Sequence, residues 1–118
     1  MFDYFRGITE TKDYKAGETI FHAGDPDDKM YAVKEGEVEL LFNGELIEVV
    51  GVSGILGEKS LLDDSPHTTT AIAKTDCKIA IVDEEKFLWL VHETPMFALH
   101  VMRVMAKRTR EVMMISFK

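Results

Sequence analysis

The chain has 118 residues, of which 46% are hydrophobic and 30% are charged, and its net charge at pH 7 is −7. This length suits one domain spanning residues 1–118 and leaves no room for a second. The acidic balance argues against direct nucleic-acid binding, because basic side chains that neutralise phosphates supply most of that affinity. No apolar run approaches the roughly 18–20 residues that span a bilayer, and the N-terminus lacks the apolar core of a signal peptide. We therefore expect neither a nucleic-acid nor a membrane partner.

The cysteine, histidine and serine content excludes further classes of protein. Cys77 is the single cysteine, so no internal disulfide can form and a reducing, cytoplasmic setting is expected. The four histidines show no spacing of metal ligands. Ser53, Ser60 and Ser65 lack a nucleophile elbow, and no histidine or carboxylate pattern supports a triad. The sequence thus predicts no metal, no cofactor and no enzymatic activity.

Residues 14–83 have the pattern of an antiparallel β-structure. Short apolar runs are separated by glycines, which lie at positions 17, 24, 36, 44, 51, 54 and 57. Many short strands joined by tight turns are typical of a sandwich or barrel. The predicted strands are residues 19–22, 30–34, 37–42, 45–50, 68–74 and 78–83.

Two turns within this region have clear sequence signals. Asn43 and Gly44 both tolerate positive φ, so they predict a type I′ turn that joins the strands 37–42 and 45–50 as a hairpin. Residues 24–28 contain Pro26, which fixes φ, and carboxylates that can accept bonds from local amides. These residues therefore predict a second turn.

From Asp83 onward the apolar spacing becomes helical. Asp83 is predicted to cap a helix with a buried stripe that consists of Phe87, Leu88, Leu90 and Val91. Thr94 and Pro95 end this helix and start the last one, residues 95–116, with threonine as N-cap and proline in the first turn. The predicted fold class is therefore α+β, with a β-roll at about residues 14–83 and helices at about residues 84–116.

The last helix also carries the main basic cluster of the chain. Its members are Arg103, Lys107, Arg108 and Arg110. Their spacings of three and four residues predict a solvated helix face rather than a nucleic-acid contact.

The segment 54–70 combines features of an anion-binding site. Gly57 allows close approach of the backbone and opens a short helix, predicted at residues 58–62, whose first amides have no partners. Glu58 lies in the first turn, where its carboxylate can accept from ligand hydroxyls. Residues 68–70 are three threonines, predicted to form a strand that presents alternate hydroxyls to the same cavity.

These residues resemble the phosphate-binding cassette of cyclic-nucleotide-binding domains. The matching run is Leu56-Gly57-Glu58, then Leu61-Leu62, then Pro66-His67-Thr68-Thr69-Thr70. Segments that resemble the opening strand, the central hairpin and the B and C helices of the family lie on both sides, so that the resemblance covers about residues 14–112. It implies a β-roll of the jelly-roll type with a short cassette helix and C-terminal B and C helices.

The resemblance further implies that the ligand is a cyclic nucleotide, with cAMP and cGMP as the candidates. Carried over by position, Gly57 and Glu58 would contact phosphate and ribose, and Thr68 would add a phosphate bond. The complete implied ligand set is Gly57, Glu58, Lys59, Ser60, His67, Thr68 and Thr69. Ligand capture would move the C-terminal helix and pass the signal to an effector or a second subunit.

His67 departs from the family pattern, because the family has an arginine at this position. A guanidinium makes a fixed, permanently charged pair of bonds to a phosphate, whereas a free imidazole is mostly neutral at pH 7. Losing a charged hydrogen bond costs roughly 1.5–3 kcal/mol. We therefore expect weak or altered cyclic-nucleotide binding, which Lys59 or a protonated His67 would restore in part. An exposed loop histidine without a role is the alternative for His67.

The last helix is apolar over much of its circumference, and in the family it commonly pairs with its twin. A heptad-like seam is formed by Ala98, Met102, Met105, Thr109 and Val112. This seam predicts a homodimer. No helix-turn-helix pattern follows it, so a complete transcription factor is not expected. Two alternatives stay open: a degenerate β-roll that serves as a dimerisation or interaction scaffold without a ligand, and a sensor of a different small molecule.

Overall fold

The computed structural model describes residues 3–117. Eight strands and three helices follow one another along these residues. In order they are β1 (Lys12–Tyr14), β2 (Thr19–Phe21), β3 (Met30–Glu35), β4 (Val38–Phe42), β5 (Glu45–Val50), β6 (Ile55–Leu56), α1 (Glu58–Asp63), β7 (Thr70–Ala73), β8 (Cys77–Val82), α2 (Glu84–Glu93) and α3 (Met96–Ser116).

The strands form two four-stranded sheets, in the orders β1-β8-β3-β6 and β2-β7-β4-β5. All six strand pairings are antiparallel. Side chains from both sheets meet in one buried cluster, which includes Phe21, Tyr31, Leu40, Ala71 and Ile79. The predicted α+β fold with an antiparallel β-roll is confirmed.

Strand β3 separates this cluster from a second core. Because successive side chains of a strand point to opposite faces, Tyr31 and Val33 enter the cluster between the sheets. Met30 and Ala32 point the other way, into a core that the helices cover with Leu90, Phe97 and Val101. The helices are therefore anchored on the outside of the roll, against the same strand that lines its interior.

The N-terminal segment belongs to this second core, which the sequence did not predict. Phe5 and Ile8 are buried there, and the rings of Phe5 and Phe97 meet edge to face at 5.6 Å. Lys34 donates from Nζ to the Phe5 carbonyl at 2.7 Å. Residues ahead of the roll thus help to hold α3 in place.

Several local predictions are confirmed and others are wrong. Asn43 and Gly44 have φ of 51° and 80°, and Phe42 pairs with Glu45, as the hairpin prediction requires. Asp83 caps α2 by accepting from the Lys86 amide at 2.8 Å. The strand predicted at residues 68–74 covers only Thr70–Ala73, and β1 and β6 were not predicted.

Two helix predictions need correction. Thr94 does not cap α3, which begins at Met96 without a side-chain cap. The backbone amide of Thr94 instead donates to the Leu90 carbonyl and so forms the C-terminal end of α2. Leu88 is 60% exposed, because Phe87, Leu90 and Val91 already fill the face of α2 that contacts the core.

Candidate functional site

A cavity of about 270 Å³ lies between the segment 57–69, strand β4 and the inner face of α3. All seven residues of the predicted ligand set line it, namely Gly57, Glu58, Lys59, Ser60, His67, Thr68 and Thr69. Leu40 and Phe42 contribute an apolar wall from β4, and α3 closes the opposite side. The sequence therefore identified residues that the fold brings together around one space.

Gly57 sets the geometry of the segment. Its φ of 68° is in the left-handed region that favours glycine, and it is the residue directly before α1. A Cβ at this position would lie 2.7 Å from Cε1 of His67. The close neighbour that requires a glycine here is thus the histidine ring of the same chain.

His67 is buried and points into the roll, so it is not an exposed loop residue. It is 4% exposed, and its ring stacks on Phe21 with centroids 3.8 Å apart and planes at 14°. Its Nδ1 is 3.0 Å from Ser60 Oγ, and its Nε2 is 3.1 Å from Asp27 Oδ2. The Tyr31 hydroxyl donates to the same carboxylate oxygen. Both ring nitrogens are therefore bonded within the protein.

This network shifts the pKa values of two of its groups, the Asp27 carboxyl and the Tyr31 hydroxyl, from their ordinary values. Partial burial raises the pKa of Asp27, but the hydrogen bonds from Tyr31 and His67 outweigh it and hold that pKa below its ordinary value. Burial, followed by the bond to Asp27, raises the pKa of the Tyr31 hydroxyl well above its ordinary value. Near neutral pH, Asp27 is thus a carboxylate that accepts and Tyr31 a phenol that donates.

One of the serines, Ser60, has a histidine and a carboxylate close by, which the sequence pattern did not indicate. Ser60, His67 and Asp27 form a continuous hydrogen-bonded chain. Ser60 is 1% exposed, and its hydroxyl bonds to Nδ1. These contacts thus join α1 to the segment that precedes β7 and to the loop between β2 and β3.

Glu58 takes part in a second buried network. It is 6% exposed, and its Oε1 accepts from the guanidinium of Arg108 at 2.7 Å. Arg108 also donates to both carboxylate oxygens of Glu48 on β5, at 3.2 and 3.4 Å. Burial lowers the pKa of Arg108, but the charges of Glu58 and Glu48 outweigh this effect and raise it. One cation thus joins α3 to the cassette helix and to the edge of the roll.

The prediction of a solvated basic face is wrong for Arg108, which is 8% exposed. The other three basic residues of the cluster are exposed. The sequence spacing could have predicted the burial of Arg108. The side chains of Phe97, Val101 and Val104 point into the core. Arg108 follows Val104 by four residues and therefore lies on the same face of the helix. An arginine on the apolar stripe of a helix needs a buried carboxylate partner.

The predicted dimer seam is divided by the structure. Met105, Thr109 and Val112 line the cavity, whereas Met102 is 57% exposed and Ala98 is partly buried. A different row of side chains faces outward from α3. It consists of Met102, Ala106, Met113 and Phe117, of which Met113 also borders the cavity.

The remaining predicted ligand residues differ in their surroundings. Lys59 is exposed at the cavity edge. Thr68 and Thr69 precede β7, so both can line the cavity, in contrast to the alternation expected from a strand. Thr70 accepts from the Ala23 amide at 3.0 Å through Oγ1 and lies outside the cavity lining.

Within residues 3–117 no group of three or more histidine, cysteine, aspartate or glutamate side chains could hold a metal ion. None of the three helices in this range combines the length and apolarity that a bilayer-crossing segment needs.

Known proteins resemble this chain in sequence and in fold. It is 27% identical over 103 residues to a CRP-like cAMP-activated global transcriptional regulator of Mycobacterium tuberculosis, a match over 83% of the chain and 46% of that protein. The catabolite activator protein of Thermus thermophilus superposes with a TM-score of 0.75 at 26% identity, covering 95% of this chain and 60% of that one. The N-terminal domain of a transcriptional regulator from Streptomyces coelicolor A3(2) has a TM-score of 0.64 at 32% identity, covering 91% and 80%.

The chain therefore spans less than half the length of the M. tuberculosis regulator. The family model for the cyclic nucleotide-binding domain matches residues 11–94. This range contains both sheets and the cavity segment 57–69. With its antiparallel roll and its cassette, the chain belongs to the cyclic nucleotide-binding domain family.

Proposed function

We propose that this chain is a regulatory domain that binds a cyclic nucleotide weakly in the cavity beside Gly57 and passes the signal through α3. The observation that carries this proposal is the shared lining: the seven cassette residues and the inner face of α3 border one space. A ligand there touches the roll and the helix at once. Any change in its contacts with Met105 or Val112 is therefore transmitted to α3.

The roles of the cassette residues follow from their chemistry. The backbone at Gly57 and Ser60 and the hydroxyls of Thr68 and Thr69 provide donors for a phosphate. The carboxylate of Glu58 provides an acceptor for a ribose hydroxyl. Leu40 and Phe42 provide apolar contacts for a base. A cyclic nucleotide has all three parts, which supports this ligand class.

Weak binding is expected because two groups of the cassette already have partners. His67 bonds to Asp27 and Ser60, and Glu58 bonds to Arg108. A ligand must share or displace these bonds. Exchanging an existing bond contributes less binding free energy than forming a new one. The same internal pairing, with Ser60 buried, supports a non-catalytic role. The single cysteine supports the cytoplasm as the setting.

Calorimetry with cAMP and with cGMP tests the proposal. Thr109→Trp places a large ring at the cavity and should abolish binding, whereas Met102→Trp adds the same ring to the outward face of α3 and should leave affinity unchanged. Binding that survives Thr109→Trp, or an absence of binding by the wild type to either nucleotide, contradicts the proposal.

The second candidate is a roll that acts as a dimerisation scaffold without a ligand. The observation that favours it is the outward row on α3, in which Met102, Met113 and Phe117 are 57%, 50% and 82% exposed. We propose this row, rather than the seam that includes Met105 and Val112, as the contact between two copies. Ultracentrifugation should show a concentration-dependent dimer that Phe117→Glu, which lies outside the cavity lining, dissociates. A melting temperature that no nucleotide changes would favour this candidate over the first.

A further inference from the structure

We propose that anion binding in the cavity is coupled to proton uptake by His67, so that ligand affinity rises as the pH falls. This inference rests on the proposed function and specifies how the same site is regulated. It arises from the hydrogen-bonded chain of Tyr31, Asp27, His67 and Ser60.

The bonds of this chain are all satisfied when the imidazole is neutral. Asp27 can only accept, so Nε2 of His67 must carry a proton. Nδ1 then has its lone pair free and accepts from the Ser60 hydroxyl. Tyr31 donates to Asp27 as well. All four side chains are satisfied with a neutral imidazole, so this state requires no anion in the cavity.

Protonation of His67 reverses one of these bonds. Nδ1 gains a proton from solvent and becomes a donor, so that Ser60 Oγ must accept from it. The hydroxyl proton of Ser60 then needs another acceptor. Ser60 and His67 both border the cavity, so an anion bound there can accept it. The protonated state therefore offers an anion a donor that the neutral state uses internally.

The position of the new charge supports the same conclusion. Cε1 of His67 lies 2.7 Å from where a Cβ of Gly57 would be, so an imidazolium stands directly behind the backbone that is proposed to hold the phosphate. An opposite charge at such a distance favours the anion. Ligand and proton then stabilise each other by linkage.

The other charged groups around the cavity do not provide this switch. Arg108 is paired with two carboxylates, Glu58 and Glu48, so its positive charge is already balanced within the protein. Lys59 is exposed and therefore screened by solvent. Around the ring itself, Asp27 lies on the loop before β3, Tyr31 on β3, Ser60 on α1 and the uncharged Phe21 on β2. The lowered pKa of Asp27 and the raised pKa of Tyr31 keep both from titrating near neutrality.

The experiment is calorimetry with cAMP as the probe at about pH 6 and about pH 8, a range that includes the ordinary imidazole value of about 6.5. We expect the wild type to bind at least about fivefold more tightly at the lower pH. Repeating the titration in two buffers of different ionisation enthalpy should show proton uptake on binding. His67→Gln keeps a donor and an acceptor but cannot take up a proton, so its affinity should not change with pH. The matched control is His22→Gln, which replaces an exposed histidine and should retain the wild-type dependence.

Each outcome decides between the two proposals. Equal cAMP affinity at both pH values, or a pH dependence that persists in His67→Gln, overturns the coupling and leaves the proposed function intact. An absence of cAMP binding at every pH overturns both. If His67→Gln does not fold, the imidazole ¹⁵N spectrum of the wild type at neutral pH replaces it. Addition of cAMP should then protonate Nδ1 of His67, and an unchanged spectrum contradicts the coupling.

Discussion

Two buried polar networks border the cavity from opposite sides, and they use different kinds of bond. On the helix side, Arg108 joins Glu58 and Glu48 by ionic bonds, and the charges of these carboxylates raise the pKa of its guanidinium. On the cassette side, Asp27 and Ser60 hold His67, and protonation of the ring would reverse the bond to Ser60. The ionic network joins α3 to the roll, and under our proposal the imidazole network is the part that responds to a ligand.

The largest effect is expected from breaking the ionic network. Arg108→Ala leaves Glu58 buried without a cation, and removing one partner of a buried pair typically costs about 3–5 kcal/mol of stability. Urea unfolding at neutral pH measures this loss. Arg103→Ala removes an exposed arginine from the same helix and should cost less than about 0.5 kcal/mol. Equal losses for the two variants would contradict the anchoring role of Arg108.

Two glycine substitutions distinguish the steric effect of the His67 ring on position 57 from the general cost of a side chain at positive φ. Gly57→Ala and Gly44→Ala both place a side chain at positive φ, 68° and 80°, which costs roughly 1 kcal/mol each. An added Cβ at Gly57 would lie 2.7 Å from His67, whereas nothing lies within 4 Å of one at Gly44. Gly57→Ala should therefore cost about 1 kcal/mol more in thermal or urea unfolding. Equal costs would show that the ring does not pack against Gly57 in solution.

A permanent cation at position 67 tests the role of the imidazole network in ligand binding. His67→Arg mimics the protonated histidine at every pH. It should raise cAMP affinity about tenfold at neutral pH, which is the lower end of the value of one charged hydrogen bond. The affinity should no longer vary with pH. If calorimetry shows no gain for cAMP or cGMP, the phosphate does not bind beside Gly57.

The smallest expected effect concerns the partner of the imidazole. Asp27 has a pKa below the ordinary 3.8 in the folded state, so its charged form stabilises the fold above about pH 4, and this contribution is lost as the pH falls through the folded pKa. Asp27→Asn should therefore cost about 1 kcal/mol at neutral pH. The difference from wild type should disappear on acidification below that pKa. Thermal melts across this range measure it, with the exposed Asp28→Asn as the control that stays close to wild type.

Local chemistry explains which parts of the fold were predictable. The hairpin at Asn43 and Gly44 depends on two adjacent residues, and the cap at Asp83 on its own helix, so the sequence contains both signals. Strands β1 and β6 have three and two residues, which is too short for an alternating pattern. The burial of Phe5 depends on contact with Phe97 of α3, far away in the chain, and no local sequence pattern indicates such a contact.

The sequence predicted one wall of the cavity but neither its other lining residues nor the bonds among them. The segment 57–69 supplies all seven expected residues because they are close in sequence and form one wall. The bonds from Asp27 to His67 and from Arg108 to Glu58 join residues 40 and 50 positions apart. Nothing in the sequence around Asp27 or Glu48 distinguishes these residues from solvent-exposed carboxylates. Only the fold shows that the two groups expected to contact a ligand already bind side chains of the protein.

The central claim, that a cyclic nucleotide occupies this cavity, is tested most directly by a two-dimensional ¹H–¹⁵N NMR titration with cAMP on the mildly acidic side of neutrality. The account predicts the largest shifts at the amides of residues 57–60, 67–69, 105, 108, 109, 112 and 113, which border the cavity. Small shifts at the outward-facing Met102 should accompany them. A spectrum that cAMP leaves unchanged, or shifts that cluster away from these residues, would contradict the claim.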